Sequence, residues 1–384
     1  MKCYFYIICS LFLISGFESL HGQKELIPFD LSSQLDKKET VFLSQFVSAI
    51  SYVPLETSTE ALVGNIQQII PAGDKIIIAT TDNSIKVFDL KGKFLNNVGR
   101  IGKGPGEFPA FRNVFWDTDA RRVIVHNMAG SYLLFYTING TFVKRFKIPF
   151  NTFDVFRMRD GVFLGINNFP IPIGSVYSQF LLFDLNNMVK PLLAKSSAKE
   201  IVRPMITHPH YHNSFGDIDY IVQPRSDTLI VYRNKDIRPF ASFNLHDLIV
   251  PDNVYYNHNI RPQDLYEYVR FGGIMPIDEN RFIYRINYKR KSYFILCNIK
   301  TRSSIPIKMD EQVKFGVTND IDGGYPFPLT QNLYENSYYA ALLPYRLLSL
   351  QEKGVFNMAD PIFIKMLKGL EDGDNPVIAI YHLK

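Results

Sequence analysis

The chain has 384 residues, a formal net charge of +5 and 46% hydrophobic residues, so it is long enough to bury a substantial core. Lysines and arginines are scattered, apart from short clusters at residues 144–145 and 289–291, which argues against a nucleic-acid-binding surface. Only Cys297 follows the N-terminal segment, and a single cysteine cannot form an internal disulfide.

Residues 1–22 have the features of a signal peptide. Lys2 precedes an apolar run over residues 4–17, which is shorter than the roughly 20 residues of a membrane span. Small residues then lead to Gly22, near which we expect cleavage. No cysteine follows the run, so we expect no lipid anchor, and an uncleaved N-terminal anchor is the alternative. We therefore expect a monomer in the periplasm or at the cell surface, with no transmembrane segment in the mature chain.

Short strands rich in aromatic residues recur along the chain with a regular period. Phe88, Phe135, Phe183 and Tyr232 are spaced by 47, 48 and 49 residues. Residues 91–92 and 139–140, Lys-Gly and Asn-Gly, are hairpin signals just after the first two of these markers. A period of roughly 40 to 50 residues is typical of four-stranded propeller blades.

The period loosens after Tyr232. Residues 246–268 resemble an insertion, with a short helix expected over residues 263–269. A further blade is expected over residues 271–307, and the last blade begins near Gly323. Within that last blade we expect strands over residues 338–343 and 346–350, a helix over residues 361–370 and a terminal strand over residues 375–384.

These segments give six blades in one all-β domain, residues 23–384. A ring of blades must be closed, because an open array would leave exposed strand edges. Residues 47–55 form a strand before the first complete blade. We expect this strand to pair into the last blade beside the C-terminal strand.

Residues 100–108, Arg-Ile-Gly-Lys-Gly-Pro-Gly-Glu-Phe, resemble the glycine-rich start of an NHL-type repeat. His126-Asn127 replaces the aspartate that usually follows the second strand of that repeat. The whole mature chain is also similar to six-bladed β-propellers exported by gut-dwelling Gram-negative bacteria, through residues 52–57, 102–108 and 375–380. The resemblance implies the fold. It implies no reaction, because members of that family are mostly without an established activity.

The best candidate metal ligands are His208, His210 and His212. Alternate residues of an extended segment share one face, so three imidazoles could converge there, with Asp217 and Asp219 following. The competing interpretation is an exposed loop between blades, because the spacing matches no known metal motif.

Other motifs for catalysis are absent. The glycine-rich residues 102–107 lead into a strand, so they lack the helix that a phosphate-binding loop needs. No Gly-x-Ser-x-Gly sequence is present, and Cys297 falls in an apolar strand, where a thiol is usually inert.

The sequence therefore favours a non-enzymatic module that binds an envelope protein, a small molecule or a glycan. The alternative is a metal-assisted hydrolase or lyase with its site at the central channel. A third possibility is a structural subunit of an envelope complex. No cofactor is required by the sequence, although a divalent metal is compatible with it.

Overall fold

The computed structural model describes residues 26–127, 131–196, 210–223, 226–255, 257, 259–330 and 332–384. The predicted signal peptide and His208 lie outside these residues. The strands form six sheets of four or five strands, which we number as blades 1 to 6 in chain order.

In blades 1 to 5 consecutive strands pair antiparallel, so that each blade is a meander. Blade 1 contains β3 (Ile66–Pro71), β4 (Lys75–Thr80), β5 (Ile85–Asp89) and β6 (Phe94–Asn97). Blade 2 contains β7 (Phe111–Asp117), β8 (Arg122–Asn127), β9 (Tyr132–Thr137) and β10 (Phe142–Lys147). Blade 3 contains β11 (Asp154–Arg157), β12 (Phe163–Ile173), β13 (Val176–Phe183) and β14 (Val189–Leu192). Blade 4 contains β15 (Tyr211–Phe215), β16 (Ile218–Val222), β17 (Thr228–Arg233) and β18 (Asp236–Asn244), and β1 (Ile27–Asp30) pairs parallel to β18 as a fifth strand. Blade 5 contains β19 (Arg270–Pro276), β20 (Arg281–Tyr288), β21 (Lys291–Asn298) and β22 (Ser303–Pro306).

Blade 6 confirms the predicted closure. Its strand order is β23 (Leu333–Tyr334), β24 (Ser337–Leu342), β25 (Val377–Leu383) and β2 (Val47–Pro54). The N-terminal strand β2 therefore forms the outer edge of the last blade and pairs antiparallel with the C-terminal strand β25. Asn375 extends this contact, because its amide donates to the carbonyl oxygens of Glu56 at 2.6 Å and Ala61 at 2.9 Å.

The predicted period is also confirmed, since the four marker residues all lie in the third strand of their blades. Each junction between adjacent blades has its own hydrophobic cluster. Within β4, Ile77 packs toward blade 2, whereas Ile76 and Ile78 pack toward blade 6. Alternation along one strand thus supplies two clusters, because successive side chains point to opposite faces of the sheet.

The glycine-rich link between blades 1 and 2 is held by one carboxylate. Glu107 accepts hydrogen bonds from the backbone N–H of Gly104 at 2.8 Å and from Arg100 Nε at 2.6 Å. A Cβ on Gly102 would lie 2.0 Å from that carboxylate, and Gly106 has a φ of +73°. The glycines are therefore needed for close packing as well as for a left-handed turn.

The helical segments differ in part from the sequence-based expectations. The predicted strand over residues 346–350 is wrong, because these residues lie in a helix, α2 (Pro344–Glu352), that has Pro344 in its first turn. A short apolar run fits a strand and a buried helix equally well. The expected helix over residues 361–370 is confirmed as α3 (Pro361–Lys368), capped by Asp360. The insertion before blade 5 holds a 3₁₀ turn (His246–Leu248), α1 (Asp252–Tyr255) and a 3₁₀ helix (Pro262–Glu267) where a short helix was expected. A further 3₁₀ turn, Leu43–Gln45, precedes β2.

We predict that closure depends on the inward face of β2. Val53 is buried between blades 6 and 1, so Val53→Asp should lower the free energy of unfolding by about 3–5 kcal/mol, the usual cost of an unpaired buried charge. Ser51→Asp introduces the same carboxylate at an exposed position of the same strand and should change that free energy by about 0.5 kcal/mol or less. Urea unfolding followed by circular dichroism measures both, and equal effects would contradict the prediction.

Candidate functional site

The innermost strands of the blades surround a central channel that contains a cavity of about 650 Å³. We call this space the channel cavity. Its lining combines polar side chains with aromatic rings from β3, β7, β11, β15, β20 and β23 and the segments beside them. The lining residues used below are Gln67, Gln68, Arg112, Asn113, Trp116, Asp154, Phe156, Arg157, Arg159, His210, Tyr211, His212, Asn213, Ser214, Arg285 and Glu335.

Side-chain amides connect neighbouring blades around this channel. Gln68 accepts from the Val114 N–H at 2.8 Å, and Asn113 donates to the Val155 carbonyl at 2.8 Å. Asn213 donates to the Ile274 carbonyl at 3.1 Å. Each bond joins the innermost strand of one blade to that of the next, so the channel wall has a fixed shape.

A buried ionic cluster spans blades 2, 3 and 4. Asp154 accepts a hydrogen bond from Arg112 Nε at 2.9 Å and from the backbone N–H of His210 at 2.8 Å. His210 Nδ1 lies 3.0 Å from the same carboxylate. Burial alone would raise the pKa of Asp154, but the His210 hydrogen bond and the Arg112 charge outweigh it and lower that pKa. The carboxylate is therefore ionised and fully engaged by the protein.

A second cluster lies beside it in blade 4. Asp219 accepts from His212 Nε2 at 2.9 Å and from the Ser214 hydroxyl, and His212 stacks on Phe156 with ring centroids 5.1 Å apart. Burial opposes ionisation of Asp219, but the hydrogen bonds lower its pKa. Ser214 Oγ lies 3.3 Å from the same His212 nitrogen that Asp219 contacts. A serine-hydrolase triad needs the acid and the serine on opposite nitrogens, so this group does not form one.

The structure brings two of the three predicted metal ligands to the channel. His210 and His212 each pair with a different buried aspartate, and Asp219 is one of these partners. Asp217 instead forms an exposed ion pair with Arg233. Within the described part of the chain, no three or more His, Cys, Asp or Glu side chains are grouped to hold a metal ion. Because His208 lies outside that part, the metal site stays a prediction.

His126 was not identified from the sequence. Its ring is completely buried, and neither ring nitrogen has a hydrogen-bond partner among the described residues. Burial lowers the pKa of His126 to about 4, with Asp154 opposing the shift and Arg112 adding to it. The imidazole is therefore neutral at neutral pH.

Arg285 was also missed. It belongs to the second strand of blade 5, yet its side chain lines the channel cavity. Tyr211 also lines the cavity, and burial raises its pKa, while the charges of Arg285, Arg270 and Arg112 oppose that shift. One pattern in the sequence could have indicated the channel wall. In the innermost strands, at residues 66–69, 111–114 and 271–274, two residues that are polar or glycine lie between two apolar residues.

Cys297 is buried in β21, as its apolar sequence context indicated, and burial raises the pKa of its thiol. No described helix is long and apolar enough to cross a membrane.

We predict that His126 makes stability depend on pH. The unfolded chain binds a proton at this residue near pH 6.5, whereas the folded protein resists protonation until about pH 4. As pH falls through this window, the free energy of unfolding should therefore decrease by up to about 3 kcal/mol. The His126→Leu variant should lose most of this decrease, and His246→Asn, at an exposed residue, should keep it. Urea unfolding at several pH values tests the prediction, which equal slopes for the two variants would contradict.

The sequence profile of a family described as "Domain of unknown function (DUF4934)" matches residues 26–382. No curated protein matches the chain. Among solved structures, the chain is similar to a candidate exported protein of Bacteroides fragilis, with 18% identity and a TM-score of 0.70, over 94% of this chain and 99% of that one. A member of the DUF4221 family from Bacteroides vulgatus has 13% identity and a TM-score of 0.46, over 88% of this chain and 97% of that one.

The first of these structures supports the fold. The family profile supports membership, because it extends from the start of β1 almost to the end of β25 and so includes all six blades. The chain therefore belongs to the DUF4934 family.

Proposed function

We propose that this protein is an exported, non-enzymatic binding module of the bacterial cell envelope that holds its ligand in the channel cavity. The observation that carries the proposal is the cavity itself. Its volume of about 650 Å³ falls within the usual range for small-molecule sites, and polar groups from several blades converge on it. The hydrogen bonds between blades fix those groups in place before a ligand arrives, which reduces the ordering cost of binding.

The composition of the cavity wall suits a polar ligand with one flat or ring-shaped face. Trp116 and Phe156 contribute aromatic surface, and the amides of Gln67 and Asn113 lie on the same wall. Aromatic rings beside hydrogen-bonding groups suit glycans and small polar metabolites.

Export is supported by the signal-like residues 1–22 and by the description of the similar Bacteroides fragilis protein. We infer that cleavage occurs near Gly22 and that the mature protein is a monomer.

The sole tryptophan of the chain provides a direct test, because Trp116 lines the cavity. We expect at least one class among sugars, peptides and nucleosides to change Trp116 emission and raise the melting temperature of the wild type. Gln67→Phe, which narrows the cavity, should abolish both responses. Gln312→Phe, at an exposed loop residue, should leave them unchanged.

The proposal is wrong if no class produces a response, or if the responses survive in Gln67→Phe. Far-ultraviolet circular dichroism of each variant separates a filled cavity from a misfolded protein.

A metal-assisted hydrolase or lyase is the second candidate function. The observation that favours it is that His210 and His212 each contact a buried carboxylate through one ring nitrogen. Carboxylates of this kind orient metal-bound imidazoles in known sites. A metal held there, with His208 as a further ligand, would act as a Lewis acid or activate water.

This second candidate predicts about one divalent metal ion per chain, in keeping with a single site of three imidazoles. Elemental analysis of the purified protein should then show the metal in the wild type and in His246→Asn, and its loss in His210→Gln and His212→Gln. A metal-free wild type whose melting temperature is unaffected by zinc or by a chelator would exclude the second candidate and leave the first intact.

A further inference from the structure

We propose that the channel cavity recognises an oxyanion group, a carboxylate, sulfate or phosphate, through the guanidinium of Arg285 and the hydroxyl of Tyr211. This inference rests on the proposed function, since it names the chemical class of ligand that the same cavity binds.

The charges of the cavity wall are unbalanced. Four arginines line it, but the only lining carboxylates among the described residues are Asp154 and Glu335. Arg112 is paired with Asp154, and Arg157 with Asp117 at 2.9 Å. The wall therefore keeps unneutralised positive charge, to which Arg285 and the exposed Arg159 contribute.

Among the partly buried arginines that line the cavity, Arg285 is the one that the protein satisfies least. Among the described residues, no carboxylate forms an ion pair with it and its buried Nε has no hydrogen-bond partner, while its Nη2 reaches Ser292 Oγ only at 3.5 Å. Its guanidinium carbon also lies 5.7 Å from the centroid of the Phe294 ring. A partly buried guanidinium without an anion is costly, and an incoming oxyanion would offset that cost.

The backbone of blade 5 explains why Arg285 reaches the channel. In the register of the two inner strands, Arg285 pairs with Gly273 in blade 5, just as His126 pairs with Asn113 in blade 2. Paired residues lie side by side on one face of a sheet. On the side of the innermost strand, His126 has the Asn113 side chain beside it and stays fully buried, whereas Arg285 has no side chain beside it there and extends to the cavity.

Gly272 adds to this opening. It lies at the irregularity in the strand pairing, and a Cβ there would be 3.3 Å from Arg285 Cγ and 2.7 Å from Asn287 Nδ2. Two consecutive glycines on the innermost strand thus leave space for one long cationic side chain from the strand behind.

Tyr211 and Arg270 extend the same positive region. Tyr211 lines the cavity, and Arg270 is close enough for its charge to act on the Tyr211 hydroxyl. Arg270 also lacks an ion pair among the described residues and stacks on Tyr266 at 4.8 Å. A guanidinium fork and a hydroxyl donor in the lining of the same cavity match the several acceptor oxygens of a carboxylate, sulfate or phosphate.

The test uses the mature chain and four probes: sodium sulfate, sodium phosphate, glucuronate and glucose, all at one ionic strength set with chloride. Trp116 emission and the melting temperature report binding. We expect the anions to bind the wild type, with an affinity about ten- to a hundredfold lower in Arg285→Gln, the range for losing a charge-assisted hydrogen bond. Arg285→Lys, which keeps the charge but loses the fork, should be intermediate.

The matched control is Arg238→Gln, at an exposed residue of the outer strand β18, which should bind the anions as the wild type does. Stronger binding of glucuronate than of sulfate and phosphate would identify a carboxylate-bearing sugar, and the reverse would identify a sulfate or phosphate group. The inference is overturned if no anion binds the wild type, or if Arg285→Gln binds them all equally well.

Failure of the inference can be told apart from failure of the proposed function. If Arg285→Gln binds every anion as well as the wild type does, while glucose binds the wild type but not Gln67→Phe, the cavity binds a ligand without recognising an oxyanion. If Gln67→Phe binds each of the active probes as well as the wild type does, the cavity is not the binding site.

Discussion

The pairing of β2 with β25 is the interaction on which the rest of the structure depends. It places β2 and the last strand, β25, in one blade, and it contributes to the hydrophobic cluster between blades 6 and 1. Without it, blade 6 would lose its outer strand and the ring would have a free edge. Residues 52–57 and 375–380, which carry much of the family resemblance, meet at this point through the strand pairing and through Asn375. Both segments therefore contribute to the closure of the ring.

Closure has a direct consequence for the channel. Six blades held at fixed positions bring their innermost strands together, and the amides of Gln68, Asn113 and Asn213 link several of these strands to their neighbours. Polar residues of these strands and of the segments beside them line the cavity. Some of them find partners within the wall, as Asp154 does with Arg112 and His210, and others remain available to a ligand, as Arg285 does. The candidate site is thus a product of the ring and not of any single blade.

The second strands of blades 2 and 5 carry different side chains at corresponding positions, and these side chains have different surroundings. His126 and Arg285 occupy corresponding places on the second strands, but their neighbours on the innermost strands differ. Beside Asn113 the histidine is enclosed, and its pKa is lowered by burial. Beside Gly273 the arginine reaches the cavity. The properties of such a position therefore depend on the residue paired with it on the innermost strand as well as on the residue that occupies it.

The sequence by itself determined the fold, because the alternation of apolar residues and the period set by Phe88, Phe135, Phe183 and Tyr232 are local patterns that repeat. It also indicated the closing strand, since a lone strand before the first complete blade needs a partner. It left the secondary structure of residues 346–350 ambiguous, because a short apolar run suits a strand or a helix. Only the tertiary structure decided the site: Arg112, Asp154, His210 and Arg285 come from different blades or from the segments that join them. Their contacts depend on how blades pack around the channel, which no local pattern in the chain records.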